Sequence, residues 1–294
     1  MASQARGWLV GCTIFLFLLI AGGALLVVVA LLVSDRDLTV SRPGPKVAVV
    51  EVFGVLGEDD DVLAQLDRIK DDDSIKALVL HINSPGGAVG TTQRIVARLE
   101  QFAADGMPIV AALDDVAASG GYYVATAADS IFALPGTLTG SIGVIMSFPD
   151  ASALMKKIGI DYQVVKTGPY KDTGSPYRTM TADERAWVQG VLDDVYAQFV
   201  EAVAGARGLE ADSVRATADG RFLSGHQALE RGLVDRLADL DQAIHAAAGM
   251  AGIKGEPVVV RRHRHRPAWE RFLDEKLAAL PFPRHGPLLE YRWR

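Results

Sequence analysis

The chain has 294 residues, 49% of them hydrophobic and 22% charged, with a formal net charge of −6 at pH 7. This length allows one large domain or two small ones, and the composition is that of a chain that folds mostly in water. The negative charge argues against nucleic acid as a partner, because phosphate binding needs clustered positive charge. The single cysteine, Cys12, excludes an intrachain disulfide, and its place in an apolar segment excludes a catalytic cysteine in the folded domain.

An uncharged apolar segment at residues 8–33 follows a short N-terminal flank, residues 1–7. As a helix it would be roughly 39 Å long, which exceeds the ~30 Å hydrocarbon core of a bilayer, so it predicts a transmembrane anchor. A cleaved signal peptide is the alternative, since Ala21 and Gly23 offer a small-x-small site, but cleavage there would leave a strongly apolar new N-terminus. The Lys and Arg residues on the two sides do not decide the orientation of the anchor.

Residues 34–45 are polar and contain two prolines, which predicts a linker to a folded domain over residues 46–250. Within this domain, segments with strand and helix patterns alternate. The alternation predicts an α/β fold with mostly parallel strands and right-handed crossovers. Strands are predicted at 46–56, 75–82, 108–113, 130–134, 142–147 and 162–166, and helices at 59–70, at 87–102 and directly after Ser119.

The later part of the chain has mainly helical patterns. Thr181 and Glu184 have the spacing of a capping box, which predicts the start of a long helix. Residues 251–294 are predicted to form a basic C-terminal tail, rich in Arg and His. Helices in this half are predicted from the capping box to about residue 203, at 210–218, at 225–231 and, within the tail, near 269–280.

Three loops that follow predicted strands carry the residues that suggest chemistry. Residues 83–87 are Asn-Ser-Pro-Gly-Gly, Ser119 lies at a strand-to-helix turn, and Lys171 with Asp172 follows the strand predicted at 162–166. Open α/β sheets bind ligands beyond the carboxyl ends of their strands. We therefore expect the three loops to converge at one edge of the sheet.

A hydroxyl, an amine and two glycine-rich turns suit acyl transfer. Ser119 is the predicted nucleophile, and the N–H groups of Gly86 and Gly120 are the predicted donors to the oxyanion. Lys171 is the predicted general base, which requires that its amine be desolvated near Ser119, held there by the hydroxyl of Ser141. The predicted substrate-binding residues are Gly87, Val89, Val144 and Met146.

Each feature alone has a common structural explanation. A serine in a glycine-rich turn is usually a helix cap, and a Lys-Asp pair in a loop usually lies on the surface. Asp172 must point away from the Lys171 amine, because a close carboxylate would favour the protonated form. His81 is the alternative base, but it lies within a predicted strand. His263 and His265 lack a third ligand, so no metal site is predicted, and no cofactor is expected.

At these loops the chain resembles signal peptide peptidase A, also called protease IV, in its short single-domain form. The resemblance covers about residues 46–240 and extends to the N-terminal anchor. Matching stretches are residues 82–87, 118–123, 139–144, 168–172, 220–222 with Gly225, and 232–235. As a set, these motifs are highly specific.

The resemblance implies the fold of the Clp protease and crotonase superfamily, with helices on both sides of the sheet. It implies a Ser–Lys dyad of Ser119 and Lys171, oxyanion donation from Gly86, and a lysine-orienting hydroxyl at Ser141. It also implies peptide substrates, namely signal peptides left in the membrane, and a catalytic domain on the extracytoplasmic side of a bacterial-type cell membrane. Family members form homo-oligomers in which neighbouring subunits can share the dyad.

Three alternatives stay open at this point. A membrane protease of the same superfamily could act on a membrane protein, such as a stomatin partner, with the same dyad. An acyl-CoA enzyme with a crotonase-like fold would need an acidic catalytic residue and an adenine pocket. An inactive scaffold is disfavoured because both Ser119 and Lys171 are present.

Overall fold

The computed structural model describes residues 22–23, 44–57 and 61–261, and the backbone of residues 290–292. The chain divides into two compact units, residues 1–43 with 265–267 and residues 44–264 with 268–294. The anchor predicted at 8–33 lies outside the described residues, apart from two helical glycines at 22–23. Among the residues described, no helix combines the length and hydropathy needed to cross a bilayer. The tail helix predicted near 269–280 also lies outside them.

The second unit is built on one sheet flanked by helices. Its strands are β1 (Lys46–Leu56), β2 (Ile75–Ala88), β3 (Ile109–Ala118), β4 (Ser130–Ala133), β5 (Leu138–Gly140), β6 (Phe222–Ser224), β7 (Arg236–Leu237), β8 (Val258–Arg261) and β9 (Glu290–Arg292). Its helices are α1 (Val62–Lys70), α2 (Val89–Ala104), α3 (Gly120–Ala125), α4 (Ser152–Lys157), α5 (Ala182–Arg207), α6 (Ala211–Arg215), α7 (Gly225–Glu230) and α8 (Leu240–Met250).

The strands follow the order β6-β5-β3-β2-β1-β8, with β4 beside β3, β7 beside β4 and β9 beside the end of β2. The pairs β1–β2, β2–β3, β3–β4, β3–β5, β4–β7 and β1–β8 are parallel. Only β5–β6 and β2–β9 are antiparallel among the described pairs. The predicted α/β fold with a mostly parallel sheet and helices on its faces is confirmed.

The sheet is buried on both faces, which explains the nearly continuous apolar run of β2. Leu78 and Leu80 belong to the larger core, which is formed with residues of α1, α2, α3 and α5. Ala77 and Val79 point to the other face and belong to a smaller core formed with α8. This alternation follows from the two-residue period of a strand.

Two predicted strands are wrong. Residues 142–147 contain a single bridge residue, and residues 162–166 have no regular secondary structure and are exposed. Their apolar and β-branched residues fit a strand locally, but β5 and then β6 occupy the sheet positions beyond β3. A segment with strand preference forms a strand only where a neighbouring strand is available to pair with, and neither segment pairs with a strand of the described sheet.

Two segments predicted to lie outside the sheet belong to it. The turn predicted at residues 83–87 continues β2 to Ala88, because Gly86 and Gly87 pair with Val55 and Leu56 of β1. β8 lies beyond the domain end predicted at residue 250 and pairs in parallel with the start of β1. The capping box is confirmed, with the Thr181 side chain accepting from Glu184 N and the Glu184 side chain accepting from Thr181 N.

Tyr122 fixes the short helix α3 to the body of the domain. Its side chain is fully buried, and its hydroxyl donates to the carbonyl of Leu233 at 2.7 Å. Burial raises the pKa of Tyr122 above its ordinary value of 10, so the hydroxyl stays a neutral donor. Because α3 begins directly after Ser119, this bond also holds the turn that carries Ser119.

We predict that Tyr122→Phe lowers the free energy of unfolding by about 1–3 kcal/mol, because the buried Leu233 carbonyl loses its partner. Urea denaturation measures the difference. Tyr162→Phe is the matched control, since its side chain is exposed, and its effect should stay within about 0.5 kcal/mol. Equal effects of the two substitutions would contradict the assigned role of the Tyr122 hydroxyl.

Candidate active site

Ser119 occupies a strained turn between β3 and α3. Its φ of 54° and ψ of −118° are disfavoured for any residue with a side chain. Its N–H donates to the Gly140 carbonyl at 2.8 Å, and its carbonyl accepts from Tyr123 N at 2.9 Å. The residue is 2% exposed. Hydrogen bonds on both sides therefore hold a conformation that the isolated chain would avoid.

The side chain of Ser119 is not a helix cap. It precedes the first residue of α3, but it makes no capping hydrogen bond to that helix. The commonest structural role of a serine at this position is thus excluded. The Ser119 hydroxyl is therefore available for a role other than helix capping, such as nucleophilic attack.

Ser141 is the second strained serine. Within residues 44–57 and 61–261, Ser119 and Ser141 are the two non-glycine residues with positive φ, and the φ of Ser141 is 49°. Ser141 N–H donates to the Arg221 carbonyl at 2.9 Å, and its hydroxyl donates to the Gly220 carbonyl at 3.2 Å. Such conformations cost about 1–3 kcal/mol each and cluster at functional sites.

Both serines line one cavity of about 600 Å³. This volume lies within the range of binding pockets for small molecules and peptide side chains. One wall is the segment after β5, another is the face of α5, and a third is the segment before β6. The lining residues are Ser119, Ser141, Gly143, Val144, Ile145, Gln189, Leu192, Asp193, Tyr196, Ala218, Asp219 and Gly220.

The cavity includes one of the predicted substrate-binding side chains, Val144. Val89 is instead buried in the larger core at the start of α2, and Met146 is half-buried and does not line this cavity. The contribution of α5 to the cavity was not predicted from the sequence. Leu192 and Tyr196 of this helix line the cavity, and the Tyr196 hydroxyl donates to the Ala218 carbonyl at 2.8 Å.

The first two predicted loops do converge. A Cβ atom on Gly121 would lie 2.7 Å from the Ser84 carbonyl oxygen, so only glycine allows this close approach of α3 to β2. The N–H of Gly86 donates to Ser84 Oγ at 3.1 Å, which gives this predicted oxyanion donor a partner within the chain. Gly120 is the first residue of α3, where an N–H has no partner within the helix.

The third loop does not bring its lysine to the cavity within one chain. Lys171 is exposed and is not among the lining residues, and its backbone N–H donates to the Gly168 carbonyl. Asp172 is engaged elsewhere, by ion pairs to Arg178 and Lys166. Hydrogen bonds from Arg178 and then Lys166 hold the pKa of the Asp172 carboxyl well below its usual value.

The alternative base, His81, belongs to another environment. Its Nε2 lies 3.0 Å from Asp114 Oδ2, and its ring packs edge-on against Phe53. By the alternation of β2 it shares a sheet face with Ala77 and Val79, the face covered by α8. His81 does not line the cavity of Ser119.

The parallel sheet and the strained serine turn are features expected of a serine peptidase, and the comparison with known families supports this class. Residues 57–139 match the Clp protease family model, and residues 101–254 match the model of peptidase family S49. The chain belongs to peptidase family S49, whose members are serine proteases. Its relatives include proteins named signal peptide peptidase SppA and protease 4.

Three relatives show the extent of the similarity. A candidate protease of Synechocystis sp. is 40% identical over 72% of this chain and 77% of its own length. A candidate signal peptide peptidase SppA of Enterococcus faecium is 37% identical over 62% of this chain and 53% of its own. Protease 4 of Salmonella typhi is 33% identical over 76% of this chain and 38% of its own length, so this chain corresponds to only part of that protein.

We predict that Ser119→Gly has a free energy of unfolding about 1 kcal/mol higher than Ser119→Ala. Neither variant has the hydroxyl, but only glycine adopts a φ of 54° and ψ of −118° without strain from Cβ. Urea unfolding of both variants measures the difference. In the control pair, Ser130→Gly should be less stable than Ser130→Ala, because Ser130 lies in strand β4. If the alanine variant is the more stable one at both positions, strain at Ser119 is ruled out.

Proposed function

We propose that this chain is a membrane-anchored serine endopeptidase with a Ser–Lys dyad that degrades cleaved signal peptides. Ser119 is the nucleophile and Lys171 of a neighbouring subunit is the general base. The observation that carries the proposal is the uncapped hydroxyl of Ser119, held in a strained turn on the wall of a cavity. A strained strand-to-helix turn is the usual setting of the catalytic serine in α/β hydrolases.

In the proposed reaction, the Lys171 amine accepts the hydroxyl proton as Ser119 Oγ attacks the peptide carbonyl carbon. The oxyanion that forms accepts from the Gly120 N–H, and from Gly86 if its bond to Ser84 is released. The lysine then gives its proton to the leaving amine. Water hydrolyses the acyl-enzyme in the same way: the lysine accepts a proton from the attacking water and then returns it to Ser119 Oγ. Loss of one oxyanion donor typically costs about 3–4 kcal/mol of transition-state stabilisation.

An assembly of several copies is proposed because the chain segment around Lys171 is incompletely covered. Apolar side chains exposed between residues 145 and 187 include Leu154, Ile158, Tyr162, Val165, Tyr170 and Trp187. Exposed apolar surface of this kind favours burial against a partner protein. A second copy that buried this segment would also desolvate the Lys171 amine, as a neutral base requires.

A peptide substrate is proposed to bind as an added strand beside the Ser119 turn. The backbone of β9 pairs antiparallel with residues 86–88 at the end of β2, and β9 also contacts α3. An extended segment of chain thus fits this edge, and strand addition is a common mode of peptide recognition. Val144, Ile145 and Leu192 line the nearby cavity, and their apolar side chains suit the apolar core of a signal peptide.

The dyad predicts that Ser119→Ala and Lys171→Ala each abolish peptide hydrolysis while the fold is retained. If the dyad is shared between subunits, co-expression of the two inactive chains should restore activity, to roughly one quarter of the native level when subunits mix at random. A site is complete where the native Ser119 of a Lys171→Ala chain meets the native Lys171 of a Ser119→Ala chain. Peptide hydrolysis by the purified mixed assembly, compared with each variant alone, measures the recovery.

The matched control co-expresses Ser119→Ala with the double variant Ser119→Ala/Lys171→Ala, a mixture that contains no native serine and should stay inactive. Mixed assemblies that form but regain nothing would refute a dyad shared between subunits. Activity that persists in Lys171→Ala alone would refute the lysine base itself.

The location follows from the same proposal. Residues 8–33 are the proposed anchor, with the peptidase domain on the extracytoplasmic side. We expect that the full chain stays in the membrane pellet after alkaline carbonate extraction and that deletion of residues 1–33 releases the domain. Protease added to intact spheroplasts should digest the domain, and its protection there would contradict the proposed side.

A further inference from the structure

We propose that Arg178 is a positioning residue for catalysis, which holds the carboxylate of Asp172 so that it cannot pair with the neighbouring Lys171 amine. This inference rests on the proposed role of Lys171 as general base. It concerns the protonation of that base, because a carboxylate close to an ammonium group favours the charged form, which cannot accept a proton. Asp172 directly follows Lys171, so their Cα atoms are only about 3.8 Å apart.

Arg178 binds Asp172 through three hydrogen bonds. Its Nε donates to Asp172 Oδ2 at 2.9 Å, and its Nη2 donates to Oδ1 at 2.7 Å and to the Asp172 carbonyl at 3.2 Å. The first two form the bidentate arrangement in which arginine matches a carboxylate best. Lys166 also pairs with Asp172 Oδ1. Both carboxylate oxygens are thus engaged by cations other than Lys171.

The same guanidinium is fixed on its other side by Glu184. Arg178 Nη1 donates to Glu184 Oε2 at 2.8 Å, and Nη2 also pairs with Oε1. Glu184 is 3% exposed and further accepts from Thr173 Oγ1 at 3.1 Å and from Thr181 N at 2.8 Å. The turn that carries Lys171 is therefore tied to the first turn of α5, the helix whose later residues line the Ser119 cavity.

Charged groups from three segments contact this loop, including Asp150, which accepts from Thr179 Oγ1 at 2.9 Å. Lys166, Asp172 and Arg178 belong to the loop itself, and Glu184 comes from α5. The turn also contacts α5 through the uncharged ring pair of Tyr170 and Trp187, with centroids 5.6 Å apart. Removing Arg178 takes away a cation and leaves Asp172 and Glu184 without their arginine partner, and both changes favour the protonated form of Lys171.

The test is the pH dependence of kcat/KM for peptide hydrolysis by the full-length assembly. Arg178→Gln should move the acidic limb of the profile about one unit to higher pH, which makes hydrolysis roughly tenfold slower on that limb and changes it less at alkaline pH. The double variant Arg178→Gln/Asp172→Asn should return the limb towards the native position, because the carboxylate next to Lys171 is then absent. Arg98→Gln, which removes an arginine paired with Asp67 outside the cavity, should leave the limb unmoved.

A merely structural role for Arg178 gives a different result. Arg178→Gln would then lower the rate by the same factor at every pH, and Asp172→Asn would not rescue it. That outcome overturns the inference. If Arg178→Gln fails to assemble, Arg178→Lys is the second variant, because it retains the charge but not the bidentate contact. It should show a smaller shift of the acidic limb in the same direction. An unmoved limb in Arg178→Lys also overturns the inference.

Lys171→Ala, measured in parallel, separates this inference from the function on which it rests. If Lys171→Ala keeps the native rate, the proposed base is wrong and the role of Arg178 falls with it. If Lys171→Ala is inactive and the acidic limb of Arg178→Gln is unmoved, only the positioning role of Arg178 is wrong.

Discussion

Ser119 has backbone angles that its side chain disfavours, and the rest of the site depends on the contacts that hold it there. The end of β3 is fixed by parallel pairing with β5. Directly after β3, Ser119 N–H donates to the Gly140 carbonyl at the end of β5. On the other side, α3 packs against β2 through Gly121 and is tied down by Tyr122. The sheet and the core thereby supply the free energy that this one residue costs.

A second constraint shapes the loop of Lys171. Its neighbour Asp172 joins a chain of charges that runs through Arg178 to the nearly buried Glu184 at the start of α5. An exposed loop would otherwise be free to take many conformations, and the entropy lost by ordering it is offset by these paired and hydrogen-bonded charges. The same helix that anchors the loop also lines the Ser119 cavity of its own chain, so in the proposed assembly α5 would connect two neighbouring sites.

Local signals predicted much of this structure. The Ser119 turn and the capping box at Thr181 depend on residue types a few positions apart, and both lie where the sequence places them. The wrong strand at 162–166 shows the limit, since β-branched residues fit a strand whether or not a partner is available. The role of α5 in the cavity could not be predicted, because the helical spacing of an apolar residue such as Leu192 is the same whether its side chain faces the core or lines a pocket. Arg178 gave no signal, because its partners are set by tertiary folding.

The exposure of Lys171, apart from the cavity of Ser119, has a consequence for how such an enzyme is made. On the proposed mechanism, a newly synthesised subunit would carry a nucleophile without its activator and would therefore be harmless to the polypeptides around it. On the proposed assembly, hydrolytic capacity would arise only where subunits accumulate enough to associate, so it would rise more steeply than in proportion to their number. Confinement to a membrane surface would raise local concentration and set where that threshold is crossed.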